Sequence, residues 1–131
     1  MPIAYILLTG LYCFLIFENS AVSEPIPVDM TFPLADKLVH VVMYGGLCGV
    51  VSVGMSRPPR NAPWLVMVVA PVLFATAYGL TDEIHQFYVP GRSCEIADLF
   101  ADFLGACLVQ LVLVLHWRRT GHLATFEPSE G

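Results

Sequence analysis

Long apolar runs alternate with short polar breaks along this chain. Residues 2–17 (PIAYILLTGLYCFLIF) form an uninterrupted apolar run, slightly short of the ~20 residues a helix needs to cross a bilayer, a deficit that snorkelling flanks can make up. Ala21-Val22-Ser23 resembles a small-x-small cleavage site, but no Lys or Arg precedes the run, so it reads as a span and not as a secretory leader. Residues 18–35 carry Glu18, Glu24 and Asp29 among Pro25, Pro27 and Pro33, which predicts an extended polar loop. A second span is predicted over 36–55, ended by Arg57-Pro58-Pro59-Arg60-Asn61. A third is predicted over 63–81, with Pro63 suited to the first helical turn and Pro71 a kink inside it. Residues 84–95 (IHQFYVPGRSCE) are too polar, and too broken by Pro90-Gly91, to span. They predict a tight turn or a short interfacial or re-entrant segment. A fourth span is predicted over 96–117, ended by Arg118-Arg119. The pattern therefore predicts an all-α, polytopic four-helix membrane bundle over 1–119, with a short polar hairpin between helices three and four and a polar tail at 120–131.

Composition agrees. Of 131 residues, 56% are hydrophobic and 13% charged, with mean hydropathy +0.70; lipid must do part of the solvating. A net charge of −5, with six scattered Lys and Arg, makes no basic patch and argues against nucleic acid as a partner. The four cysteines show neither CxxC nor zinc-type spacing; three lie in apolar runs, where Cys behaves as a small hydrophobe.

Orientation follows from the basic residues. Arg57 and Arg60 lie between spans two and three and Arg118 and Arg119 follow span four, against Lys37 and Arg92 on the other side. The positive-inside rule then predicts both termini in the cytoplasm.

The charged residues that remain near the spans carry the functional interest, because ionisable groups persist in a membrane mainly where a bundle interior or wet cavity receives them. Asp36, Lys37 and His40 open span two, Asp82 and Glu83 end span three, and Asp98 and Asp102 open span four. In an antiparallel bundle these ends meet at one face, predicted to be the outer one. From Asp36 to Tyr44 is roughly 12 Å along a helix axis, and Asp98 to Asp102 adds about 6 Å of acidic depth. The expected result is a polar bowl in the outer leaflet. Asp36, His40 and Tyr44 share a helix face. So do Tyr78, Asp82 and His85 if helix three reaches that far, with Gly79, Glu83 and Gln86 alongside. Asp98 and Asp102 stack at i, i+4, where two carboxylates repel unless a cation or proton intervenes. Ala97, Ala101 and Gly105, with Ala75 and Gly79 on span three, form small-residue stripes that admit close helix approach, within the chain or in a homo-oligomer.

Taken in order, Asp36-Lys37-Leu38-Val39-His40 with Tyr44, Asp82-Glu83-Ile84-His85-Gln86, Pro90-Gly91-Arg92, and Asp98, Asp102 and Gly105 resemble the VanZ-like family of small bacterial membrane proteins. The resemblance covers about residues 36–115 and departs at Asp102, where the family pattern carries Asn. The family takes its name from a teicoplanin-resistance accessory protein. The resemblance implies an integral protein of the bacterial cytoplasmic membrane that faces cell-wall or lipid chemistry.

Two uses of the cluster compete. As a site, Glu83 would be general acid or base, assisted by His85, Asp98 and Asp102. Lys37 and Arg92 would hold an anionic group, and Asp36, His40, Tyr44, Asp82 and Gln86 would complete a bowl for a polar lipid, lipid-linked glycan or glycopeptide. As a scaffold, Asp82 and Glu83 would tie Lys37, Arg92 and backbone donors across three helices, and Arg92 would pair with Asp82, Asp98 or Asp102. His40, Asp36, His85, Glu83 and Asp98 would suit only a hard or borderline cation. No HExxH or DxD motif accompanies them, so neither metal nor cofactor is expected. No GxSxG or P-loop is present either. Ion passage would need a relay into the other half of the spans, which the sequence does not show.

Overall fold

A computed structural model describes residues 1–23, 34–58 and 63–121. The stretches 24–33, 59–62 and 122–131, which include most of the predicted first loop and of the tail, lie outside the described residues. Four helices form in chain order, α1 (Ile3–Ala21), α2 (Ala35–Met55), α3 (Trp64–Gln86) and α4 (Ile96–Arg119), and no strand occurs among the described residues. All four are long and apolar enough to cross a membrane. The shortest, of 19 residues, is about 28 Å long at 1.5 Å per residue, close to the hydrocarbon thickness.

The boundaries shift most, relative to those read in the sequence, at the ends of α1 and α3. α1 continues four residues past Phe17, through Glu18 and Asn19 to Ala21, because the carbonyls at its end find a side-chain donor described below. α3 opens one residue after Pro63 and runs on past Thr81 to Gln86; only 87–95 is left to turn, pivoting on Gly91 at φ +82°. The charged DEIHQ segment is thus helix. Its polarity is accommodated because Asp82, Glu83 and Gln86 face inward while Ile84 remains exposed.

α2 is the central element. It packs on α4 most extensively and also on α3 and α1. Tyr44, Leu47, Cys48 and Val51 of α2 meet Ile16, Ala75 and Ala106 in the core, while Leu7, Phe14, Leu73, Leu104 and Leu111 stay exposed as a lipid-facing apolar coat. α2 and α4 approach so closely at Gly105 that a Cβ there would run into the backbone of Val41. Ala101 and Gly105 of α4 are therefore buried within the chain, as are Ala75 and Gly79 of α3, while Ala97 stays exposed. Tyr5 of α1 lies against Gly54 near the far end of α2, and Tyr78 donates to the Cys13 carbonyl at 2.7 Å. The helices alternate in direction, which brings the end of α1, the start of α2, the end of α3 and the start of α4 to one face.

Candidate functional site

The rim of that face is organised by Lys37. From the first turn of α2 its ammonium reaches Asp36 Oδ2 at 2.9 Å, Glu95 Oε2 at 2.7 Å and Asp98 Oδ1 at 2.5 Å. Asp36 and Glu95 are largely exposed, where such pairs contribute little. Asp98 is buried, and a buried carboxylate without a partner would be costly. Glu95 stands just before α4 and also accepts from Ser93 Oγ at 3.1 Å. Lys37, and then Ser93, hold its carboxyl below the usual carboxylate range.

One turn deeper, His40 Nδ1 lies 2.9 Å from Asp102 Oδ1. An ionised carboxylate only accepts, so in the neutral ring Nδ1 carries the proton and Nε2 keeps a free lone pair. Asp102 is fully buried, and its Oδ2 has no hydrogen-bond partner among the described residues. It is pressed against Gly79, where a Cβ would collide with it. The two acids of α4 thus escape their mutual repulsion by facing different partners, Asp98 toward Lys37 and Asp102 toward His40.

Tyr44 stacks on His40 with ring centroids 6.0 Å apart; its buried hydroxyl lies beside Asp82 and Asp102 without a well-formed hydrogen bond. Asp82 accepts from Gln86 Nε2 at 3.0 Å. Glu83, 2% exposed, accepts from the Glu95 backbone N–H through Oε2 at 2.8 Å, which ties α3 to the start of α4. Its Oε1 has no hydrogen-bond partner among the described residues. The exposed thiol of Cys94 stands close to Glu83 and is a weak donor at best. Desolvation, followed by the charges of Glu83 and Asp98, raises its pKa.

Two predicted site residues lie elsewhere. Among the described residues Arg92 pairs with none of the acids. Its Nη2 donates to the Asn19 carbonyl at 2.8 Å and its Nε to the Val22 carbonyl at 3.2 Å, satisfying carbonyls that the end of α1 leaves open. That contact explains why α1 persists through its polar end. His85 packs its ring on Phe17 of α1 at 4.5 Å, and its buried Nε2 has no hydrogen-bond partner among the described residues. Two participants escaped the sequence reading. Glu95 joins Lys37 to Ser93, and its signal was its place one residue before span four, on the same face as Lys37. Gln110, a lone amide inside an apolar run, accepts from Ser52 Oγ at 2.8 Å and ties α2 to α4 toward the other end.

Among the described residues the cluster buries four carboxylates, those of Asp82, Glu83, Asp98 and Asp102, against Lys37 and His40. It is rich in acceptors and, with Arg92 engaged at α1, short of cations. Such a set can accept hydrogen bonds from hydroxyls or ammonium groups and can move a proton between Glu83 and the oriented His40. It is poorly suited to an anion. Donor atoms of His40, Glu83 and Asp98 lie within 4.8 Å of one another, as do those of Asp36, Glu95 and Asp98; the second group already surrounds the Lys37 ammonium.

No curated protein matches the chain, and no solved structure does. A family model described as VanZ/LLP1 matches residues 3–117, nearly all of the sequence, and extends the resemblance carried by the motifs of α2, α3 and α4 back through α1. With four apolar helices and the ordered motifs gathered at one end, the chain belongs to the VanZ/LLP1 family of membrane proteins.

Proposed function

We propose that this protein is a multi-pass component of the bacterial cytoplasmic membrane, with both termini in the cytoplasm and the acidic bowl opening to the outer leaflet. There it binds the polar part of a lipid, lipid-linked glycan or glycopeptide. The observation that carries the reading is the surplus of buried carboxylates, above all Glu83 with one oxygen unpartnered. The ligand groups that suit it are hydroxyls and ammonium, since Lys37 and Arg92 are both engaged within the chain. Turnover would use Glu83 as acid or base, assisted by His40, whose ring nitrogen lies within 4.8 Å of a Glu83 oxygen.

A second reading rests on its own observation: Glu83 to the Glu95 N–H, Lys37 to Asp98 and Arg92 to the end of α1 each tie helices together. In that reading the cluster is the scaffold of a non-catalytic accessory protein or a partner-docking face. Extraction of wild type, Glu83→Gln and Asp98→Asn in lipid-retaining nanodiscs, with mass spectrometry of co-purified lipids and immunoblotting of membranes, separates the two. A polar lipid or glycolipid enriched with wild type and lost from normally abundant variants supports binding. Lost abundance in both variants, with no lipid enriched in wild type, favours the scaffold.

A further inference from the structure

We infer that His40, Glu83 and Asp98 form a binding site for one divalent first-row cation, manganese or zinc, linking α2, α3 and α4 at the cluster end of the bundle. The inference stands whether or not a lipid enters the bowl.

The three residues come from three different helices, and one donor atom from each lies within 4.8 Å of the other two. Bonds of 2.0–2.2 Å to a tetrahedral ion place its donors about 3.4 Å apart, so a modest inward movement of the side chains completes the set. One imidazole and two carboxylates suit a borderline divalent ion and leave positions open for water or ligand.

Independent features point to the same place. Glu83 is almost wholly buried and its Oε1 is unpartnered, which is costly for an acceptor and more so for a charged one; a cation removes that cost. Asp102 receives His40 Nδ1 at 2.9 Å and leaves Nε2 with the lone pair. This is the carboxylate–histidine arrangement that orients an imidazole toward a metal. Asp98 meets the Lys37 ammonium through Oδ1, an oxygen without a well-formed hydrogen bond, and a carboxylate has the second oxygen and spare lone pairs to serve an ion as well. Charge agrees as well, since a doubly positive ion would offset the buried carboxylates that Lys37 alone leaves uncompensated. The neighbouring Asp36, Glu95 and Asp98 group is excluded, because the Lys37 ammonium is already its cation.

The test uses the full chain, purified with its affinity tag removed, stripped by chelator and reloaded separately with Mn2+ and Zn2+. Bound metal is measured after desalting, and circular dichroism follows folding. Wild type should retain one ion per chain of at least one of the metals. Glu83→Gln and His40→Gln should lose it, Asp36→Asn should keep it, and Asp102→Asn should weaken it by about 10–100-fold. Should Glu83→Gln or His40→Gln fail to fold, wild type alone decides the matter, since pulsed electron paramagnetic resonance of bound Mn2+ reports a coordinating nitrogen directly. Substoichiometric retention of both metals by folded wild type overturns the site. So does undiminished retention in folded Glu83→Gln, equal loss in Asp36→Asn, or bound Mn2+ without nitrogen coupling.

Discussion

Glu83→Gln separates a binding site from a scaffold through the sign of its effect on stability. In the wild-type protein Oε2 accepts from the Glu95 N–H at 2.8 Å while Oε1 has no partner, and the residue is 2% exposed. A glutamine keeps an oxygen for the Glu95 N–H and replaces the unpartnered acceptor with an NH2 that can donate to the Asp98 side of the cluster. Removing an unsatisfied buried acceptor is worth about 1–3 kcal/mol, more when it is charged. Exchanging a charge-assisted hydrogen bond for a neutral one costs about 1 kcal/mol by the same reasoning. The balance is a gain of about 1 kcal/mol, roughly a fivefold rise in the folded-to-unfolded ratio. Thermal unfolding in mild detergent, followed by Trp64 and Trp117 fluorescence, reads the change. Chelator-treated protein is used, so that loss of a bound cation does not add to the shift. A higher midpoint with normal membrane abundance is expected. A fall of more than about 1 kcal/mol, with depleted membranes, would refute the reasoning and make the Glu83 charge a structural tie.

Other consequences are equally open to measurement. Gly105→Val should separate α2 from α4, since even a Cβ there meets the Val41 backbone; a loss of about 1–3 kcal/mol is expected from overpacking, measurable by denaturant titration in detergent. Arg92→Ala should free the end of α1, costing about 1 kcal/mol and speeding hydrogen exchange at residues 17–22, with lipid retention unchanged. Cys94 is exposed in the turn before α4, so a membrane-impermeant maleimide should label it in intact spheroplasts; labelling only after permeabilisation would reverse the proposed orientation. The Glu95 carboxyl is held below its ordinary range by Lys37. Its contribution to stability is therefore complete at neutral pH and lost as pH falls through the folded-state value, and Glu95→Gln should flatten that acid limb of the melting curve.

The spans were legible because a lipid-facing helix must be apolar along its length, and the convergence of Asp36, Lys37, His40, Asp82, Glu83, Asp98 and Asp102 followed from alternating direction alone. The pairing within that set was not legible. Helical spacing puts Asp98 and Asp102 on one face but says nothing of which cation each meets, which depends on how closely α2 and α4 approach at Gly105. Arg92 was misplaced for a related reason: its partners are backbone carbonyls of α1, and no side-chain chemistry in the sequence marks them. The same contact hid the true end of α1, because Glu18 and Asn19 read as loop until something satisfies the carbonyls of the last turn. His85 shares a helix with Glu83, yet its ring follows Phe17, and only the packing of α1 against α3 decides that.

The claim that the acidic end of the bundle receives a ligand is tested most directly by an experimental density map of the protein in a native lipid nanodisc. The account predicts non-protein density in the bowl within hydrogen-bonding or coordination distance of His40, Glu83 and Asp98, with Lys37 still bridging Asp98 and Glu95. A bowl sealed by side chains alone, with Glu83 Oε1 turned to a protein donor and no added density, would contradict it.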